Sequence, residues 1–330
     1  MRFSIVTPVY NAAKYIERTV CSVLVQTLPD WEMVCVDDGS SDASGQILDG
    51  LAAKDPRIKV VHQPNGGEGA ARNAALRVAT GDWIVFLDAD DLLSPWALAE
   101  HARVVDQCPE AMMTRLGMIQ FDGDADPDWN AVKNAGQRIW RVNVRDVIPF
   151  EMSVAHFFQF AYSRSILNGL EYTSHYVGAD RVFLIKCLLK SDCIGCSTAI
   201  SHAYRQTPTS IMGSCMTLRR LRDRQSYIHE CIEQVKGSSK RLSKTAIREF
   251  GSTLTECSVY DIGTLPKGER SEAWALWQSW LPWIASLDDL PFWRRMSVAI
   301  CRCMLWAPSH LVPRFLFELP YRMKLAGFHR

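Results

Sequence analysis

The stretch Gly81 to Leu93, GDWIVFLDADDLL, constrains the chain more than any other. Its apolar run, Trp83 to Leu87, has a β-branched core and ends abruptly in Asp88, Asp90 and Asp91. Such a run suits a strand buried on both faces of a parallel sheet, which places Asp88 at the C-terminal edge, where open α/β sheets bind ligands. Three carboxylates this close repel one another unless a cation or protons compensate. With no His or Cys nearby, hard oxygen ligands point to Mg²⁺ or Mn²⁺, held jointly with substrate phosphates. A plainer reading makes these acids the cap of the helix that starts near Pro95, but Ser94 already fits the N-cap with Pro95 at N1.

The flanking segments agree with an α/β sheet. Phe3 to Thr7 predicts a buried strand, and Asn11 can cap a helix whose apolar positions Ile16, Val20, Val23 and Leu24 recur at helical spacing. Trp31 to Val36 predicts a second strand ending in Asp37 and Asp38, followed by a helix with Ile47, Leu48 and Leu51. Ile58 to His62 predicts a third, then a turn at Asn65, Gly66 and Gly67 and a small-residue helix carrying Arg72. Strand and helix in alternation predict a parallel, doubly wound sheet.

Four stretches, SIVTPVYN, VDDGSSD, GEGAARNAAL and FLDADD, stand in this order over the first hundred residues. Together they resemble the successive signatures of family-2 glycosyltransferases. The resemblance implies the GT-A fold, a Rossmann-like mixed sheet, with a catalytic domain over 1–215; the chain beyond it, 216–330, reads from its own composition as an appended helical, Trp-rich, basic region. The resemblance further implies that Pro8, Val9 and Tyr10 line a nucleobase pocket and that Asp38 accepts from the imide N–H of uracil or thymine. An ionised carboxylate is acceptor-only and the Tyr10 ring offers a stacking surface, so the chemistry is consistent. One of Asp37 and Asp38 is expected to serve the turn instead. Arg72 falls where the family directs an Arg at the diphosphate; a surface helical Arg is the bland alternative. Asp88 then faces ribose or sugar hydroxyls, and Asp90, helped by Asp91, holds the Mn²⁺ or Mg²⁺ that neutralises the departing diphosphate.

Further along, Met113 to Phe121 predicts a strand, and the Asp-rich loop after it fails as a calcium site because Pro127 stands where Gly is needed and Lys133 where Glu is needed. Trp129 and Trp140 are candidate sugar-stacking or packing rings. The run from Ser153 to Leu167 matches the family's strand and helix before an acceptor loop, Glu171 to Gly178. In GADRVFLIKCLL, Asp180 matches the second acid of the family's Glu-Asp pair, the catalytic base, whereas Ala179 departs from it. A helix-capping Asp is the competing reading. Ile194 to Tyr204 predicts the last strand, and YRQTPTSI after it resembles a diphosphate-facing segment that would enlist Arg205 and Ser210, although Thr207 stands where a His is frequent. His202 is left out of the metal shell.

Composition bounds the rest. The 330 residues carry a net charge of +1, which argues against nucleic acid as partner, and 11 cysteines without regular spacing fit a reducing compartment. Cys193 and Cys196 lack a second pair for zinc. No secretory signal is evident, so the expected location is cytoplasmic. From Asp288 onward seven basic residues face three acids, a local charge of +4 that leaves −3 for the remainder. With Trp274, Trp277, Trp280, Trp283, Trp293 and Trp306, this end suits either contact with the inner membrane surface or a helical bundle with a Trp core. The expected activity is inverting, metal-dependent transfer from a nucleotide-sugar donor, UDP-linked, to a glycan or lipid-linked acceptor in cell-surface polysaccharide synthesis. The competing classes are an inert glycan-binding or scaffold protein and a sugar nucleotidyltransferase. The latter's Gly-rich N-terminal loop is absent, Thr7 to Tyr10 standing there instead.

Overall fold

The computed structural model describes residues 1–123, 125–132, 137–144, 157–173, 178–206, 217–236, 265–266 and 268–285. The chain divides into two compact units, Met1–Val147 with His156–Gly213, and Ile148–Ala155 with Ser214–Arg330. Thr207, Ser210, the expected helix over 244–260 and the chain from 286 onward lie outside the described residues.

The first unit is built on a nine-stranded mixed sheet. β1 (Phe3–Val9), β2 (Trp31–Asp37), β3 (Ile58–His62) and β4 (Trp83–Phe86) run parallel in the order β3-β2-β1-β4. α1 (Ile16–Leu24), α2 (Ser44–Ala52) and α3 (Glu68–Val78) connect them. Every residue of β2 and β4 is buried, as their apolar runs predict for strands covered on both faces. Ile16, Val20 and Val23 of α1 pack with Phe3, Ile5, Met33 and Cys35 in the main core. Ala71, Ala74 and Ala75 of α3 are buried, and such small side chains let a helix lie close to a sheet.

Beyond β4 the parallel expectation fails. β8 (Phe160–Ser163) pairs antiparallel with β4, and β6 (Met113–Asp122) pairs antiparallel with β8 and parallel with β9 (Cys193–Gln206). The far side of β9 is shared by β5 (Leu92–Leu93) and β7 (Ile139–Asn143). β5 was not expected: the chain leaving the acidic turn goes on to pair with β9, so Ser94 N–H bonds to Ser201 O at 2.8 Å. Ser94 therefore does not cap the helix. α4 (Ala97–Gln107) starts behind Trp96, and the Ser94 hydroxyl has no partner. Asn11 does not cap α1 either, whose N-cap is Tyr15. At φ 51° its side-chain oxygen accepts from Ser41 N–H at 2.8 Å and so ties the β1 loop to the β2 loop. Short helices α5 (Trp129–Val132) and α6 (Arg164–Leu167) and the longer α7 (Ala179–Lys190) complete the unit.

In the second unit, α8 (Leu218–Lys236) buries Leu221, Ile228, Cys231, Ile232 and Val235 at helical spacing. It meets α9 (Arg270–Ala285) through an Arg222–Glu272 ion pair and a 3.3 Å bond from Leu218 N–H to Glu269. No helix among the described residues is long and apolar enough to cross a membrane.

One buried charge fastens the sheet at the edge away from the acidic turn. Glu32 is fully buried on β2 and accepts from Ser4 Oγ at 2.6 Å, Thr80 Oγ1 at 2.8 Å and Lys59 Nζ at 2.7 Å. Burial pushes its carboxyl up, but these donors outweigh burial and bring it to about 2. The stability it contributes is present above its unfolded pKa and is lost as pH falls through about 2. Glu32→Gln should therefore cost about 2–3 kcal/mol at pH 7, and the gap to wild type should narrow as pH falls below about 4. Urea unfolding at pH 7 and pH 3 checks this; an equal gap at both would show that shape, not charge, is lost.

Candidate active site

Two loops meet at the C-terminal edge of β1 and β2. Asp37 accepts from Ser40 N–H and lies 3.0 Å from His62 Nδ1, so it serves the turn. Asp38 serves a second turn: its Oδ1 accepts from Gln63 Nε2 at 2.7 Å and Gly66 N–H at 2.9 Å, and its Oδ2 from Gly67 N–H at 2.8 Å. Gly67 itself stands at φ 88°, which favours glycine. The expectation that only one of the two acids anchors a turn is thus corrected. A carboxylate has about four acceptor positions, so Asp38 keeps capacity for one further donor. Val9 is buried and Pro8 half-buried, while Tyr10 is 54% exposed at the same edge and free to stack.

The acidic turn after β4 is held from three sides. Thr19 Oγ1 on α1 lies 2.9 Å from the carbonyls of both Ala89 and Asp91, and Arg205 Nε donates to the Asp90 carbonyl at 2.8 Å. Asp91 is fully buried, with Oδ1 accepting from Arg205 N–H and Oδ2 lying 2.8 Å from His202 Nε2. Burial lowers His202 to about 4 and pushes Asp91 well up. The imidazole also stacks on Phe158, with centroids 4.4 Å apart. Asp91 is therefore a strut between the turn and β9 and not an open ligand, contrary to the expectation of a shared metal. Arg205 is likewise a clamp. Its Nη1 donates to the Gly123 carbonyl, its guanidinium lies over the Tyr15 and Phe121 rings, and only the buried Nη2 is without a partner. Asp90 keeps its carboxylate clear of these bonds, and burial pushes its pKa up. Among the described residues no three metal-ligating side chains converge. A lone desolvated carboxylate of this kind suits Mg²⁺ or Mn²⁺ whose other ligands are waters and substrate phosphates.

Behind the turn lies a buried guanidinium. Arg72 on α3 is 1% exposed, sits over the rings of Phe157 (4.4 Å) and Tyr172 (5.2 Å), and donates from Nη2 to Asp88 Oδ1 at 2.7 Å. The same Nη2 pairs with Glu68, one turn earlier. Arg72 is thus not a surface residue; two carboxylates share its Nη2, while its Nε has no partner. Burial pushes Asp88 up, to about 7, with Arg72 opposing and Glu68, Asp91 and Asp90 reinforcing. Asp180 belongs to the same field. It lies in the first turn of α7 behind Gly178 at φ 84°, and burial and Glu68 raise its pKa while the Arg72 and Arg181 charges and the Arg181 backbone N–H oppose. A raised carboxylate beside a cation is what a general base needs near neutral pH.

The segment before α7 is fixed to α3. The Asn73 side chain accepts from Tyr172 N–H at 2.8 Å and donates to Tyr172 O at 3.1 Å. A Cβ on Gly69 would stand 2.7 Å from Thr173 O, so glycine is required there. The structure thus gathers Asp88, Asp90, Arg72 and Asp180 from three distant segments. It sets Pro8, Val9, Tyr10 and Asp38 on the edge of β1 and β2, and turns Asp91 and Arg205 to support. Sequence reasoning missed Glu68, Tyr172, Thr19 and the positioning role of His202. Only the Glu68–Arg72 pair had a signal, its i,i+4 spacing. Of the two tryptophans, Trp129 packs edge-on against Trp96, whereas Trp140 on β7 is 42% exposed.

Comparison with known proteins fits this geometry. The family model "Glycosyl transferase family 2" matches residues 4–170. The TuaG glycosyltransferase of Bacillus subtilis, named for teichuronic acid biosynthesis, is 51% identical over 121 residues, 36% of this chain and 45% of that protein. The glycosyltransferase EpsJ of Bacillus subtilis is 46% identical over 114 residues, 34% and 32% of the two chains. A chondroitin synthase of Escherichia coli is 33% identical over 181 residues, 51% and 25%. The matched stretch thus spans less than half the length of these curated relatives. Among solved structures, Staphylococcus aureus TarS 1–349 in complex with UDP-GlcNAc superposes with TM-score 0.74 at 19% identity over 98% of this chain and 92% of that one. The mannosyltransferase PcManGT of Pyrobaculum calidifontis, in complex with GDP-Man and Mn²⁺, gives 0.56 at 18% identity over 99% and 88%. With half of its length matched by the family model and with this sheet, the chain belongs to glycosyltransferase family 2 and carries the GT-A fold.

Proposed function

We propose that the protein moves a sugar from a UDP-linked donor to a hydroxyl of a glycan or lipid-linked acceptor, with inversion, in cell-surface polysaccharide synthesis. One observation carries the reading: Asp180, raised by burial, stands in the electrostatic field of Glu68 and of the same Arg72 that bonds to Asp88. Asp38, acceptor-only, with the exposed Tyr10 ring beside it, suits a uracil base. TarS in complex with UDP and TuaG named for teichuronic acid biosynthesis point the same way.

In this reading the acceptor oxygen attacks the anomeric carbon from the face opposite the diphosphate, while Asp180 takes its proton. Asp88 accepts from sugar hydroxyls, and Arg72 keeps it oriented. Asp90 would hold Mn²⁺ or Mg²⁺, which when bound supplies positive charge to the departing diphosphate. Thr19, His202, Asp91 and Arg205 fix the turn that carries both acids. The basic, Trp-rich chain end would rest on an anionic membrane surface near the inner face, where a lipid-linked acceptor resides.

Asp180→Asn should lower turnover by roughly two to four orders of magnitude while calorimetric UDP affinity changes little. Since burial raises Asp180, its charged form costs stability above its unfolded pKa, so the same variant should melt higher than wild type at pH 7. The acidic limb of kcat/KM should lie above the usual carboxylate range. Weakened UDP binding with turnover intact would move the base elsewhere. Asp90→Ala, in contrast, should abolish the gain in UDP affinity that Mn²⁺ gives; an undiminished gain would remove Asp90 from the metal. For the chain end, the protein should sediment with anionic liposomes and be partly released by high salt. Equal recovery in the supernatant with and without liposomes would favour a Trp-cored bundle.

A further inference from the structure

Glu68 opens α3 directly behind Gly67, whose N–H Asp38 holds, so the nucleotide-side loop fixes where its side chain begins. Its carboxylate sits on the Arg72 nitrogen that also serves Asp88. A single guanidinium therefore displays two carboxylates. The Arg72 side chain is 1% exposed, whereas Asp88 is 26% and Glu68 53% exposed, so a ligand meets the acids and not the cation.

Two buried donors in the same place are unused. Arg72 Nε and the Tyr172 hydroxyl have no hydrogen-bond partner, although both side chains are more than nine-tenths buried. The Tyr172 ring lies beneath the Arg72 guanidinium and stacks on Phe183 at 3.9 Å. Its hydroxyl feels the charges of Arg72, Asp180 and Glu68. A ligand completing this array must donate to two carboxylates and accept from the phenol. Sugar hydroxyls do both. A carboxylate on the sugar would instead meet Glu68, Asp88 and Asp180 while Arg72 is already engaged.

We propose that Glu68 selects the donor sugar: paired with Asp88 on Arg72, it binds a neutral hexosyl or N-acetylhexosaminyl group through its hydroxyls and excludes hexuronates. The inference rests on the transferase reading above. Removal of the Glu68 charge both lifts the repulsion and frees one side of Arg72, so the excluded class becomes acceptable.

The test is calorimetric binding of UDP, UDP-glucose, UDP-N-acetylglucosamine and UDP-glucuronate, with Mn²⁺, to wild type, Glu68→Gln and Glu68→Asp. Wild type should bind a neutral donor at least about tenfold more tightly than UDP-glucuronate, and Glu68→Gln should reduce that ratio about tenfold or more. UDP itself should change less than about twofold, because the discrimination lies at the sugar. Glu68→Asp keeps the charge and should keep the preference. Since Glu68 is half-exposed, both variants should melt close to wild type, and the ratio compares donors on the same protein. An unchanged ratio in Glu68→Gln, or a wild type that prefers UDP-glucuronate, overturns the inference while the transferase reading stands. Should wild type bind neither UDP nor any UDP-sugar, the transferase reading falls and this inference with it.

Discussion

A guanidinium removed from water against two aromatic rings has to be matched by anions, and Arg72 is matched by acids of the proposed active site. Its Nη2 holds Asp88 at 2.7 Å and pairs with Glu68, and its charge reaches Asp180. Without it Asp88 and Asp180 would lose the charge that opposes their desolvation, and protons would neutralise them. With it, Asp88 keeps a fixed orientation, and Asp180 is raised but still opposed by a cation. The site's chemistry thus depends on a residue that need not touch the substrate.

The acidic turn depends on a second set of contacts. Its three carbonyls and its buried Asp91 are bonded to Thr19 on α1 and to His202 and Arg205 on β9. β9 runs for 14 residues and pairs with β5, which continues directly out of the turn. One long strand therefore fixes the chain from Asp90 through Ser94, while β1 holds Leu87 at the start of the loop. At the opposite edge, Glu32 draws β1, β2 and β3 together through Ser4 and Lys59. Stability is concentrated at that edge, while desolvated, raised carboxylates gather at the other, a division expected where function costs stability.

What the sequence revealed followed local pattern. The parallel half of the sheet was legible because fully apolar runs such as Trp31 to Val36 alternate with helical spacing; Asp88 and Asp90 stood out as acids at a strand's end, and Asp180 only through its match to the family pattern. What stayed hidden depends on long-range pairing. Leu92 and Leu93 are too short a run to announce a strand, and only β9 makes them one. Ser94 and Asn11 are good caps by local rule, but Ser94 continues the β5 pairing and Asn11 bridges two loops. Asp91 and Arg205 looked like ligands by position, yet each is satisfied by a partner more than a hundred residues away in sequence. Glu68 went unnoticed since a half-exposed Glu in a first helical turn has an ordinary explanation in the helix dipole.

Arg72 is the counter-charge on which the proposed site's carboxylates depend, and a double-mutant cycle of Arg72→Met and Asp88→Asn measures that dependence. Urea unfolding at pH 7 would give each stability. Arg72→Met alone should cost roughly 2–4 kcal/mol, from lost packing and from leaving the partly exposed Asp88 and Glu68 without their counter-charge, and adding Asp88→Asn should recover part of that loss, with a coupling energy above about 1 kcal/mol. Effects that add to within about 0.5 kcal/mol would contradict it, because Arg72 and Asp88 would then be neighbours that do not depend on each other.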